Sequence, residues 1–159
     1  LRPDSLKYFT PNKRVVYGGG GIMPDIFVPI DTSLNSNYYN EIIRKGLLYD
    51  FTVRYVDNNR KQIKKLYPTL QAFKKNFDVD EKLMADFIKY ADEKEVKKNE
   101  EQLKISESLI KIQIKASIAR GFWNTLGYWY IANDLNNSFS KAIEAIKNDS
   151  FEKFQLVYK

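Results

Sequence analysis

The sequence predicts a mainly α-helical fold: a bundle of five or six helices preceded by a short β-hairpin and strand segment. Two observations carry this expectation. Four of the five prolines (Pro3, Pro11, Pro24, Pro29) and four of the seven glycines (Gly18–Gly21) fall in residues 1–36, where they interrupt regular helix. From about Tyr38 onward, apolar residues instead recur at the three-to-four-residue period of helices facing a core. The chain accordingly divides into residues 1–36 and 37–159.

Each element follows from its residues. Ser5–Phe9, Arg14–Tyr17 and Asp25–Ile30 are short and β-rich. Thr10-Pro11-Asn12-Lys13 joins the first two as a turn, since Pro presets φ and Asn tolerates the left-handed region. Ile26-Phe27-Val28 reads as a third strand, an edge or end bracketed by Pro24 and Pro29. Tyr39, Ile43, Leu47, Phe51 and Tyr55 then recur every four residues, with Ile42 alongside. Pro68 suits the first turn of a short helix carrying Leu70, Phe73 and Phe77. Asp78 with Glu81 forms a capping box for a helix carrying Leu83, Met84, Phe87, Ile88 and Ala91. The longest helix starts near Asn99 and runs to Arg120; its apolar stripe is wide enough to make it central, and Gly121 interrupts it. Phe122, Trp123, Tyr128, Trp129, Tyr130 and Ile131 form an aromatic cluster expected to be buried. Asn133–Asn137 is a turn and cap before a last helix with Phe139, Ala142, Ile143 and Ile146.

Composition excludes several chemistries. The 159 residues contain no cysteine and no histidine. That removes disulfides, thiol nucleophiles, Cys/His zinc sites, histidine bases and Ser-His-Asp triads. No apolar run approaches the roughly 20 residues of a membrane helix. The net charge of +6 comes mostly from lysine, with six arginines. The pairs Lys64-Lys65, Lys74-Lys75 and Lys97-Lys98 alternate with Asp and Glu, so they read as solvated surface and no nucleic-acid partner is expected.

The remaining motifs weigh towards bland readings. The run Gly18–Gly21 lacks the Lys-Ser/Thr of a phosphate loop and is followed by Pro24 rather than a helix, so close backbone packing is expected. Ser-x-x-Lys occurs at Ser108–Lys111, Ser138–Lys141 and Ser150–Lys153. In a lysine-rich helical chain such spacing arises by chance, and nothing in the sequence desolvates those lysines. Glu100-Glu101 and Asp92-Glu93 lie in charged helix ends without calcium-loop spacing. No catalytic, cofactor-binding or metal-ligating residue is assigned, and no cofactor is expected.

One stretch carries more. Tyr8-Phe9-Thr10-Pro11-Asn12-Lys13-Arg14-Val15-Val16-Tyr17-Gly18-Gly19-Gly20-Gly21-Ile22-Met23-Pro24-Asp25-Ile26 resembles the end of the catalytic core of carboxy-terminal processing peptidases, the tail-specific serine proteases. Their usual pattern is an aromatic-Thr-Pro-x-Gly-Arg segment followed by Gly-Ile-x-Pro-Asp-Ile-x-Val; here Lys13 stands where Gly is usual. Leu48-Tyr49-Asp50-Phe51, Tyr55-Val56-Asp57 and Ile114–Trp123 resemble the helical C-terminal extension of Bacteroidetes-type members. The resemblance implies that residues 1–36 are the terminal strands of a peptidase core and 37–159 a helical extension. It also implies a Ser-Lys hydrolase of the periplasm or cell envelope acting on protein substrates. The family's nucleophile motif and its Gly-Lys-Gly base motif have no counterpart in this chain, so no catalytic residue carries over.

The expected function is therefore that of the non-catalytic C-terminal part of such a peptidase. Its extension packs on the core, limits access or mediates homo-oligomerisation, and its partners are the upstream core and PDZ-like module. A free-standing helical interaction module is the alternative. The chain begins with Leu1, and Leu1–Pro11 lacks the pattern of a signal peptide, so it reads as part of a longer protein with any targeting signal upstream. Separated from an upstream sheet, residues 1–30 are expected to be poorly ordered or paired with a second copy.

Overall fold

The computed structural model describes residues 6–11, 13, 15–19, 24, 26–148 and 150. The chain forms two compact units, divided after Ile30 and after Asn136. Among the described residues there are two strands and six α-helices, the mainly α-helical fold that the sequence predicts.

The first unit holds the hairpin. Strands β1 (Lys7–Phe9) and β2 (Val15–Tyr17) pair antiparallel in the register Lys7↔Tyr17, Tyr8↔Val16 and Phe9↔Val15. The Lys13 N–H donates to the Thr10 carbonyl at 2.8 Å and closes the turn, with Lys13 at φ 59°. Beyond β2 the Gly18 N–H donates to the Leu6 carbonyl at 2.8 Å. A Cβ on Gly18 would lie 2.9 Å from the Tyr8 ring, which is the close packing expected of this glycine. Ser5, Asn12, Arg14, Gly20, Gly21 and Asp25 lie outside the described residues. The third strand expected at Ile26–Val28 is absent: these residues are irregular. A strand exists only through a neighbour's hydrogen bonds, the described sheet ends at two strands, and Pro29 has no N–H to offer.

Asp31–Asn136 carries the core: every buried apolar side chain among the described residues lies between Tyr38 and Ile131. Helix α1 (Asn37–Arg44) starts at Ser36, whose Oγ accepts from the Tyr39 N–H at 3.2 Å. Ser36 is itself held from afar. Its hydroxyl lies 2.8 Å from Ser106 Oγ, and Ser106 donates to the Leu34 carbonyl at 2.7 Å. The four-residue ladder from Tyr39 to Tyr55 is broken at Gly46, which takes φ 68° and separates α1 from α2 (Leu47–Leu66). The break changes which residues face inward: Tyr38 and Ile42 are buried, and Ile43 is exposed.

The next two starts are shifted from the sequence reading. Helix α3 (Leu70–Asn76) is capped by Thr69, whose side chain accepts from the Ala72 N–H at 3.1 Å. Pro68 therefore precedes the cap rather than occupying the first turn. Helix α4 (Glu81–Glu93) is capped by Asp80, not Asp78, with Oδ1 accepting from the Leu83 N–H at 2.8 Å. This choice puts Val79 and Met84 at the two positions of a hydrophobic staple, and both are buried. At its far end Glu95 takes φ 62° and the Val96 N–H donates to the Ala91 carbonyl at 2.9 Å. That is a Schellman ending with a buried valine after the left-handed residue.

Helix α5 (Glu100–Ala132) is capped by Asn99, as expected, through a 3.0 Å bond from the Gln102 N–H. Its interruption falls at Trp123 and Asn124, not at Gly121, and Asn124 holds φ 55°, ψ −155°. The break is a reversal of direction. Tyr128 Oη donates to Gln113 Oε1 at 2.8 Å, although 15 residues of straight helix would separate them by about 22 Å. The aromatic cluster is divided by this reversal. Ile131 is buried and Trp123 packs on Phe73 with ring centres 5.4 Å apart. Trp129 is 52% exposed and Tyr130 is also exposed, contrary to the expected burial. After a short 3₁₀ turn (Asn133–Leu135), helix α6 (Asn137–Lys147) belongs to the first unit.

Candidate functional site

Two concavities on Asp31–Asn136 flank the link between α3 and α4. On one side a cleft of about 530 Å³ opens between α2 and α4. Ile63, Phe77 and Leu83 supply its apolar floor, and Asp78, Asp80 and Asp86 its acidic rim. Asp80, the N-cap of α4, and Asp86 are exposed at the edge of the buried Leu83. Tyr55 responds to this setting: burial raises its phenol above the ordinary value, and Asp80, Tyr67 and Asp86 push the same way. Such a surface attracts cationic groups. Among the described residues no group of three acidic side chains is placed to hold a metal ion.

On the other side of the link a shallower cleft of about 610 Å³ is lined by Asp78, Ser108, Lys111, Ile112, Lys115 and Leu135, among others. Here the helix brings Ser108, Lys111 and Lys115 to one face of α5, at positions i, i+3 and i+7. Lys115 is the perturbed one. Burial lowers its ammonium pKa, Asp78 and Asp134 oppose that, and Lys74 adds to it. Its Nζ donates to the Lys74 carbonyl at 2.8 Å, so the amine is already engaged. Ser108 lies seven residues away, about 10 Å along the helix, beyond direct proton transfer.

The Ser-x-x-Lys pairs are not assembled either. Lys111 pairs with Glu107 at 2.5 Å and Lys141 with Glu144 at 2.6 Å. No hydrogen bond joins Ser108 to Lys111 or Ser138 to Lys141 among the described residues. Lys153 lies outside them. The acidic pairs behave as helix ends. Glu100 meets Lys98 at 2.6 Å, and Asp92 meets Lys97 at 2.9 Å, a hydrogen bond that holds the Asp92 carboxyl below the usual carboxylate range. Lys74 spans from α3 to the end of α5, donating to the Tyr130 carbonyl at 3.1 Å and to Asp134 at 2.6 Å. Lys115, which no short motif marks, had one legible signal: a lysine inside the apolar stripe Ile114–Ile118 of the central helix.

No curated protein and no solved structure matches the chain. One family model matches residues 38–124, from the start of α1 to the reversal in α5, and is described as a family of unknown function, DUF8443. That match covers more than half of the 159 residues, and the chain belongs to this family.

Proposed function

We propose that the chain is the non-catalytic C-terminal part of a Ser-Lys serine peptidase that processes proteins at or near their C-termini. In this reading residues 1–36 complete the peptidase core. The helical extension packs on that core, limits access to it or mediates homo-oligomerisation. The parent acts on protein substrates in the periplasm or cell envelope, and its PDZ-like module lies upstream. The resemblance of Tyr8–Ile26 to the end of that core carries the reading. The exposure of the hairpin supports it: Tyr8 is 58% and Phe9 65% exposed, and two three-residue strands are marginal in water without further strands to pair with. The test is the coding sequence ahead of Leu1. A serine nucleophile and a Gly-Lys-Gly base motif there, with hydrolysis of an unfolded protein by the longer product and loss on Ser→Ala, uphold the proposal. A start codon next to Leu1 overturns it.

A second reading, a free-standing helical interaction module, is favoured by one observation. The family match lies wholly inside Asp31–Asn136, the unit that owns the buried core. The same upstream sequence separates the two readings.

A further inference from the structure

A separate crevice lies where α2 crosses α5, and small residues create it. A Cβ on Gly121 would stand 3.0 and 3.1 Å from the two Val56 methyls, so the helices approach closely there. Ser117 lies one turn earlier on α5, and Thr52 faces it from α2. The Thr52 hydroxyl is turned back to its own helix, bonding to the Leu48 carbonyl at 2.7 Å. Val53 and Tyr49 continue an apolar wall, and the enclosed space is about 250 Å³.

The mouth is cationic. Arg60 is held in one orientation: it meets Asp57 at 3.2 Å, donates to the Gly121 carbonyl at 3.4 Å and lies over the Phe122 ring at 5.5 Å. Arg120 also lines the crevice, and no hydrogen bond or ion pair holds it among the described residues. Ser117 and Arg120 are three apart on one helix and so share a face. With two guanidinium groups and one carboxylate, the lining carries a net charge of +1. A guanidinium fork matches the planar oxygens of a carboxylate or phosphate, and an exposed fork beside an apolar slot suits an anion on a hydrocarbon stem.

We propose that this crevice binds a small organic oxyanion, a carboxylate or phosphate ester on a short apolar stem. Arg120 and Arg60 are its charge partners, Ser117 is its hydroxyl donor, and Val53 and Val56 contact the stem. The volume lies just below the usual range for drug-sized ligands, which limits the stem to a few carbons. The inference is independent of the peptidase reading, since it uses only residues of the helical unit.

Titration of the 15N-labelled full chain at low salt with 3-methylbutanoate and, separately, with inorganic phosphate tests it. Saturable shifts at the amides of Val56, Ser117 and Gly121 are expected, with Kd on the order of 1 mM and weakening as salt is added. Saturation by one probe alone upholds the site and assigns it to carboxylates or to phosphates. Arg120→Gln should weaken binding about tenfold, the usual size of a lost charge-assisted bond, and Ser117→Ala less. Arg54→Gln, whose guanidinium lies over Tyr90, should leave it unchanged. Absence of saturable shifts with both probes overturns the proposal, as does equal affinity of the Arg120→Gln protein, whose unchanged urea midpoint shows that it is folded.

Discussion

Replacing Gly127 with alanine tests the reversal in α5 directly. In an ordinary helix the change should stabilise, because alanine exceeds glycine in helix propensity by about 1 kcal/mol. Here the added Cβ would lie 2.7 Å from the Ala119 carbonyl oxygen and 2.9 Å from Trp123 Cβ. Residues 119 and 127 would be about 12 Å apart along a straight helix, so this contact exists only because the segment after Asn124 folds back. The carbonyl belongs to helix backbone and cannot swing aside as a side-chain tip can. Overpacking of this kind costs about 1–3 kcal/mol. The propensity gain offsets part of it, leaving a net loss of about 1–2 kcal/mol, or several degrees in Tm for a chain of this size. Urea unfolding followed by far-UV circular dichroism at constant m-value measures the change. Gly121→Ala is the matched comparison, since the nearest atoms to its new Cβ are the Val56 methyls at 3.0 and 3.1 Å, side-chain atoms that can give where a backbone carbonyl cannot. Its unfolding free energy should stay within about 1 kcal/mol of the parent. A Gly127→Ala protein that is more stable than the parent would refute the fold-back geometry.

Other expected outcomes follow from burial and backbone geometry. Phe73 is fully buried and stacks on Phe77 at 4.5 Å, so Phe73→Ala should cost about 3–5 kcal/mol in urea unfolding; a loss below about 1 kcal/mol would contradict the packing. Glu95 occupies the left-handed position of the Schellman ending, so Glu95→Gly should raise stability by about 1 kcal/mol, as the relief of positive-φ strain exceeds the added unfolded-state entropy; an unchanged or lower Tm would argue against that ending. Tyr38 Oη is buried without a hydrogen-bond partner among the described residues, and burial followed by Asp92 raises its pKa. The folded state therefore favours the neutral phenol, a contribution present below its usual pKa near 10 and lost as pH rises through the folded value. Tyr38→Phe should be neutral or stabilising at pH 7 and should flatten the stability loss above about pH 10; an equally steep loss in the variant would exclude this tyrosine. Amide exchange at Tyr8 and Val16 in dilute monomer should be fast, and strong protection there would show that the hairpin needs no further strands.

The features legible in the sequence are those whose cause lies within a few residues. The Thr10–Lys13 turn closes by a bond between residues three apart. Asn99 caps α5 through the residue three positions on. The change of apolar period near Tyr38 marks the onset of helix because burial on one face imposes that period. The Ser-x-x-Lys spacings were legible too, and the ion pairs that occupy Lys111 and Lys141 are equally local.

Tertiary structure decided the rest. Val79 and Met84 are both buried in the core, and the staple they form moves the α4 cap from Asp78 to Asp80. Gly46 divides a ladder that reads as continuous because the chain must turn α1 to reach Gln102 and Ser106 of α5; the Tyr38 N–H donates to Gln102 Oε1 at 2.6 Å. Gly121 marks an interruption two residues from Trp123 in the sequence, but not its exact place or the reversal, which Asn124 makes at φ 55°. That conformation costs about 1–3 kcal/mol, and it persists because the fold-back buries Ile131 and joins Tyr128 to Gln113. The crevice with Arg60 and Arg120 is invisible in sequence for the same reason. Its two cations lie 60 residues apart on different helices and meet only where Gly121 lets those helices approach.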